Sequence, residues 1–136
     1  MPKHWIMKTE PTTYSFDDLV REKRTRWDGV KNAVALKHIR AMSSGDGVLI
    51  YHSGKEKAVV GLARIVSEPY PDPEQDDPKL VVVDIEAGKP LGQPVELKQI
   101  KADPAFKELG LVRMGRLSVM PASAVQWKRL LKLGGK

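Results

Sequence analysis

Apolar and polar positions along the chain change period several times, and each change marks an element. His4-Trp5-Ile6-Met7-Lys8-Thr9 is a short, partly alternating run that ends at Glu10-Pro11, where the proline removes a ladder donor and turns the chain, so a first strand is expected there. Ser15 stands three residues before Asp18 in a capping-box-like start, and Phe16, Leu19 and Val20 fall at helical spacing. This predicts a short amphipathic helix to about Lys23. After the basic run Arg21 to Arg26 and the tripeptide Trp27-Asp28-Gly29, the apolar Val30, Val34, Ile39 and Met42 recur against the polar Lys31, Lys37, His38 and Arg40. A second helix is expected, ending at Ser43-Ser44-Gly45-Asp46.

Gly47 to His52 and Ala58 to Val66 are rich in Val and Ile and read as two strands of a hairpin joined by Ser53-Gly54-Lys55-Glu56-Lys57. Glu68 to Pro78 is too acidic and proline-rich for a regular element, so an exposed connection is expected. Leu80 to Ile85 predicts a strand and Gln93 to Leu97 a shorter one. Asp103-Pro104 opens a short helix ending near Gly110, Leu117-Ser118-Val119 forms a last brief strand, and Ser123 caps a C-terminal helix in which Val125, Trp127, Leu130 and Leu131 alternate with Gln126, Lys128 and Arg129. Strands outnumber helices and several follow one another directly, which argues against a doubly wound parallel sheet. The expected class is α+β, with a strongly bent mixed sheet or small β-barrel flanked by short helices. A chain of 136 residues is the size of one domain.

Composition narrows the function. With no cysteine, neither disulfides nor thiolate metal sites hold the fold, and the chain suits a reducing compartment. That suits a cytoplasmic location, nucleoid-associated in a bacterium or nuclear in a eukaryote, and since no apolar run approaches the roughly 20 residues that span a bilayer, no membrane span is expected. Lys and Arg number 23 against 17 Asp and Glu, a formal net charge of +6 that favours polyanionic partners. Catalytic motifs are missing at their fixed spacings. Gly54-Lys55 is no P-loop, because Leu49 stands where glycine is needed and Glu56 where Ser or Thr is. Ser118 is no nucleophile elbow, since Met120 holds the place of the second glycine. His4, His38 and His52 are too scattered for a metal site, and the prolines of the Asp72 to Asp77 loop do not suit a calcium loop. No cofactor is expected.

What remains is a set of polar and aromatic residues at element ends, where pockets form: Trp5, Lys8, Thr9, Trp27, Asn32, Tyr51, His52, Ser53, Arg116 and Ser118. Trp27, between a basic stretch and a helix start, is placed either to stack on an extruded base or to cover the sheet as a core residue. Trp5 has the same two uses. Asn32 either meets a base edge or caps the second helix. Alternation sends Tyr51 and Ser53 to one face and His52 to the other. Arg24, Arg26, Lys31 and Lys37 are candidates for backbone phosphates or members of a solvated face. If the chain were instead an enzyme on a nucleotide or modified base, Lys8, His52 and Asp28 would do the acid–base work; a third reading is a protein-interaction module that binds no nucleic acid.

Several ordered motifs resemble the EVE domain: Trp5-Ile6-Met7-Lys8-Thr9-Glu10-Pro11, Tyr14-Ser15, Trp27-Asp28-Gly29-Val30-Lys31-Asn32, Gly45-Asp46, Tyr51-His52-Ser53, Tyr70-Pro71-Asp72-Pro73, Lys101-Ala102-Asp103-Pro104 and Gly115-Arg116-Leu117-Ser118-Val119. The resemblance runs from Trp5 to the last helix and implies a PUA-like fold over residues 1–136. It also implies kinship with YTH-type readers of methylated adenine, whose pocket is an aromatic cage. On that resemblance Trp27 is a pocket wall, Trp5, Lys8 and Thr9 its floor or rim, and Asn32, Tyr51, His52, Ser53 and the Arg116-Leu117-Ser118 turn complete it. Thr9 stands where the family often has serine, and Ala33-Val34-Ala35 replaces a more polar stretch. The implied function is noncatalytic binding, by a monomer, of DNA or RNA carrying a flipped modified base such as 5-methylcytosine, 5-hydroxymethylcytosine or N6-methyladenine.

Overall fold

The structure, a computed structural model, describes residues 2–135. Its centre is β1 (His4–Thr9), where Trp5, Ile6 and Met7 are all buried because both faces of the strand are covered. On one side β1 pairs in parallel with β3 (Gly47–His52), and on the other antiparallel with β7 (Val119–Ala122). Outward from β3 come β4 (Ala58–Ile65), the long β6 (Val81–Glu96) and the short β2 (Arg24–Trp27), while β5 (Tyr70–Pro71) adds to β6. The order β2-β6-β4-β3-β1-β7 ends in two unpaired edges. Of the two forms expected, the sheet is the bent one: it curls without closing into a barrel.

The helices are short: α1 (Phe16–Glu22), α2 (Ala33–Arg40), α3 (Leu97–Ala102), α4 (Gly110–Arg113) and α5 (Ala124–Leu133), with a 3-10 turn at Pro104–Phe106. The capping box read from sequence is present at Ser15/Asp18, and Ser123, read as a cap, forms a second box with Gln126. Other elements differ from expectation. The two strands expected over 80–85 and 93–97 are one 16-residue strand, because β6 absorbs its internal glycines and prolines in register shifts against β4 rather than breaking. Its end flows into α3, an unexpected helix. The helix expected from Asp103 is only the 3-10 turn followed by α4, and the last strand begins two residues late, at Val119. Val30 precedes α2 and Val34 is exposed. The expected Ile39 is buried, with Met42 just beyond the helix, but Ala35 and Leu36 complete the buried face in place of Val30 and Val34. Trp127 is half-buried, stacked on His4 at 4.5 Å between ring centres.

One glycine is dictated by a neighbour. A Cβ at Gly61, in β4, would fall within the Phe16 ring that α1 lays against the sheet. Phe16 is otherwise fixed by its backbone N–H, which donates to His52 Nε2 at 2.9 Å. Gly61→Ala is therefore expected to cost about 1–3 kcal/mol through overpacking, measured by chemical denaturation. Wild-type stability in this variant would show that α1 is free to lift.

Candidate functional site

The two ends of the sheet do not meet, and a cleft of about 590 Å³ lies where they fail to. One side comes from β2, the edge strand, through Thr25, Arg26 and Trp27; the other comes from the end of β1, through Lys8 and Thr9, with Ser118 just before β7. Glu10 to Tyr14 and Asp28 to Lys31 form its lips. Pro11 ends β1, and the chain turns as the Thr13 and Tyr14 N–H groups both donate to the Glu10 carbonyl at 2.9 Å. The Thr9 hydroxyl then donates to the Tyr14 carbonyl at 2.7 Å and holds that turn over the cleft. On the facing lip, Gly29 adopts φ +79°, open to glycine at little cost, and lets the chain leave Trp27 sharply.

The aromatic part of the wall is Trp27, 8% exposed, with Tyr14 edge-on at 6.3 Å. Trp27 packs in the core, the second of the two uses its sequence position offers, and presents a margin to the cleft. Burial, and then the hydrogen bond to Glu22 at 2.6 Å, push the Tyr14 phenol up to about 12, so it is a neutral donor. Burial pulls the Lys8 ammonium below its ordinary value; its Nζ donates to the Gly115 carbonyl at 2.7 Å and lies 5.7 Å from the Tyr51 ring centre. Arg26 reaches Glu74 at 3.2 Å and Asp72 at 3.9 Å, while its buried Nε has no partner among the described residues.

The cleft gathers Lys8, Thr9, Trp27 and Ser118 from the expected base site, and Arg26 and Lys31 from the expected phosphate contacts. It does not gather the others. Trp5 is no floor of the cleft: it is buried, and its indole N–H donates to Asp46 at 2.9 Å. His52 lies outside it too, held between the Phe16 N–H and Glu56, whose carboxylate is 2.7 Å from Nδ1. Tyr51 and Ser53 share a face, as alternation requires, but they line a second cavity. Asn32 caps α2, accepting from the N–H groups of Val34 and Ala35 at 2.9 and 3.1 Å. With Arg116 and the buried Leu117 it borders a separate groove, beside exposed Met114. Arg24 pairs with Glu86 at 3.0 Å, and Lys37 is exposed on α2. Of the acid–base candidates, Lys8 and Asp28 share the cleft and His52 does not. Tyr14 and Thr25 are cleft residues that the sequence reading did not select. Thr25 became findable only once β2 was known to be a strand.

A curled, unclosed α+β sheet with its cleft at the open seam defines the PUA-like class. Within it, the chain belongs to the EVE domain family, whose pattern matches residues 3–133. The solution structure of Rpa0253 from Rhodopseudomonas palustris is 42% identical with a TM-score of 0.92, covering 98% of this chain and 93% of that one. Human thymocyte nuclear protein 1 is 29% identical over 100% of this chain and 76% of its own length. The crystal structure of human THYN1 protein in complex with 5-methylcytosine-containing DNA is 30% identical with a TM-score of 0.90, covering 98% of each chain. Among the described residues, no helix is long and apolar enough to cross a membrane.

Proposed function

We propose that this chain is a noncatalytic DNA-binding module that admits one extruded, modified base of the 5-methylcytosine type into the seam cleft. The observation that carries this reading is the cleft itself. Its volume of about 590 Å³ lies within the usual range for small-molecule sites, and it combines an aromatic margin with convergent polar groups. Trp27 and Val30 offer apolar surface to a methyl group, while Thr9, Ser118 and Lys8 offer hydrogen bonds to a base edge. The human relative crystallised with 5-methylcytosine-containing DNA supports DNA as the partner and that base as the first to test. A base inside a duplex cannot reach such a cleft, so the reading requires extrusion, at a cost of a few kcal/mol. Arg26 and Lys31 at the cleft, with Arg24 and Lys37 beyond it, would meet backbone phosphates and fix the register without reading sequence.

The test is a binding panel of matched oligonucleotides, DNA and RNA, single- and double-stranded, carrying cytosine, 5-methylcytosine, 5-hydroxymethylcytosine, adenine or N6-methyladenine. A methylated DNA strand should bind more tightly than its plain counterpart. Equal affinity across every matched pair would refute the reading, and loss of substrate with appearance of product would replace it with an enzyme. The enzyme reading draws less from the geometry, since His52 is engaged by Phe16 and Glu56 away from Lys8 and Asp28.

A further inference from the structure

Next to the seam cleft lies a second cavity of about 240 Å³, and Lys8 lines both. The two differ in charge. The seam cleft mixes Lys8, Arg26 and Lys31 with Glu10 and Asp28, whereas the second cavity is lined by Lys8, Lys57 and Lys101 with no carboxylate. Glu10, whose carboxylate comes up against Gly54 at the edge of this cavity, is already engaged by the Thr12 N–H and hydroxyl at 3.3 and 3.2 Å.

Arg21, Arg24, Arg26, Arg64, Arg113 and Arg129 each hold a carboxylate, whereas no lysine among the described residues does, Lys8, Lys57 and Lys101 included. Of the three, Lys8 is fastened by its Nζ to the Gly115 carbonyl, while Lys57 and Lys101 are exposed; the Lys57 backbone sits in the left-handed region at φ +48°, uncommon for lysine, with its carbonyl accepting from the Leu97 N–H at 2.8 Å. Three cations lining one concave surface, with only the Glu10 carboxylate at its edge, repel one another, and an anion entering between them relieves that repulsion. The Ser53 hydroxyl adds a neutral donor.

We propose that this second cavity holds a backbone phosphate of the same nucleic-acid strand whose modified base enters the seam cleft, an inference that rests on the function proposed above. Lys8 separates the two cavities, so a base in one and the adjoining backbone in the other are joined across a single side chain. The contact is to phosphate and therefore blind to methylation.

The double variant Lys57→Gln/Lys101→Gln tests this, titrated with methylated and plain oligodeoxynucleotides from about 50 to 200 mM salt. The slope of log affinity against log salt should become shallower by about 2, and affinity should fall by a similar factor for both oligonucleotides. Lys128→Gln/Lys132→Gln, an equal charge change on α5, should leave the slope at the wild-type value. A wild-type slope in the first variant, or an equal fall in the second, would overturn the assignment. So would saturable binding of inorganic phosphate at this cavity that the oligonucleotide does not displace. Equal binding of methylated and plain strands, with the slope still reduced, would sink the base-reading function and leave this phosphate site standing. A retained preference with an unchanged slope would do the reverse.

Discussion

Asp46→Ala is expected to lower the melting temperature by about 10–20 °C, a loss of about 3–5 kcal/mol. The carboxylate is 3% exposed and accepts three hydrogen bonds: from the Trp5 indole at 2.9 Å, and from the Lys3 and Ser43 backbone N–H groups, both at 3.0 Å. Alanine leaves all three donors facing a small void. The acid limb of stability should change as well. Burial alone would raise the Asp46 carboxyl, but those donors outweigh it and hold the group below its ordinary value. A group with a depressed folded pKa contributes fully above its unfolded value, near pH 4, and loses that contribution as the pH falls through the folded value. Calorimetry between about pH 2 and 7 should therefore show a flatter acid limb in Asp46→Ala than in the wild type. An Asp46→Ala protein as stable as the wild type would mean that Trp5 is held by packing alone.

Trp27→Ala is expected to weaken binding of a methylated oligonucleotide by roughly 5- to 150-fold, the equivalent of about 1–3 kcal/mol for one stacked base. Because Trp27 is also a core residue, the same change should cost about 3–5 kcal/mol of stability. Circular dichroism must accompany the titration for that reason. Trp27→Phe separates the two effects: it keeps most of the apolar volume and trims the aromatic margin, so it should fold normally and still lose part of the preference for the methylated strand. Folded Trp27 variants that keep the full preference would remove the indole from the proposed pocket.

Where hydrophobic period was strong, the elements were legible from sequence. His4 to Thr9, Phe16 to Glu22, Gly47 to His52, Ala58 to Ile65 and the C-terminal helix formed close to where the pattern put them. β2 was not legible, because an edge strand carrying an exposed Arg24 and a half-buried Arg26 reads as a basic loop. β6 was hidden by its own glycines and prolines, which bulges accommodate and a one-dimensional pattern cannot. Of the candidate site residues, Lys8, Thr9, Trp27 and Ser118 line one cleft. Trp5 and His52 were separated from them by partners distant in sequence, Asp46 and Phe16, which no local spacing reveals. Lys57 and Lys101 converge only after β6 and α3 fold back beside the hairpin turn.

A sheet left open at its seam exposes two rows of backbone donors and acceptors to any passing strand. Here each edge strand is only four residues long. β2 carries two arginines, and β7 carries Pro121 opposite Trp5. Because the Lys8 N–H bonds the Ser118 carbonyl at 2.8 Å, alternation along the β1–β7 ladder puts Pro121 between the bonded pairs. The N–H that proline lacks is therefore the one that would have faced outward. Short length, charge and that missing donor discourage edge-to-edge association, so the gap can stay open without seeding aggregation.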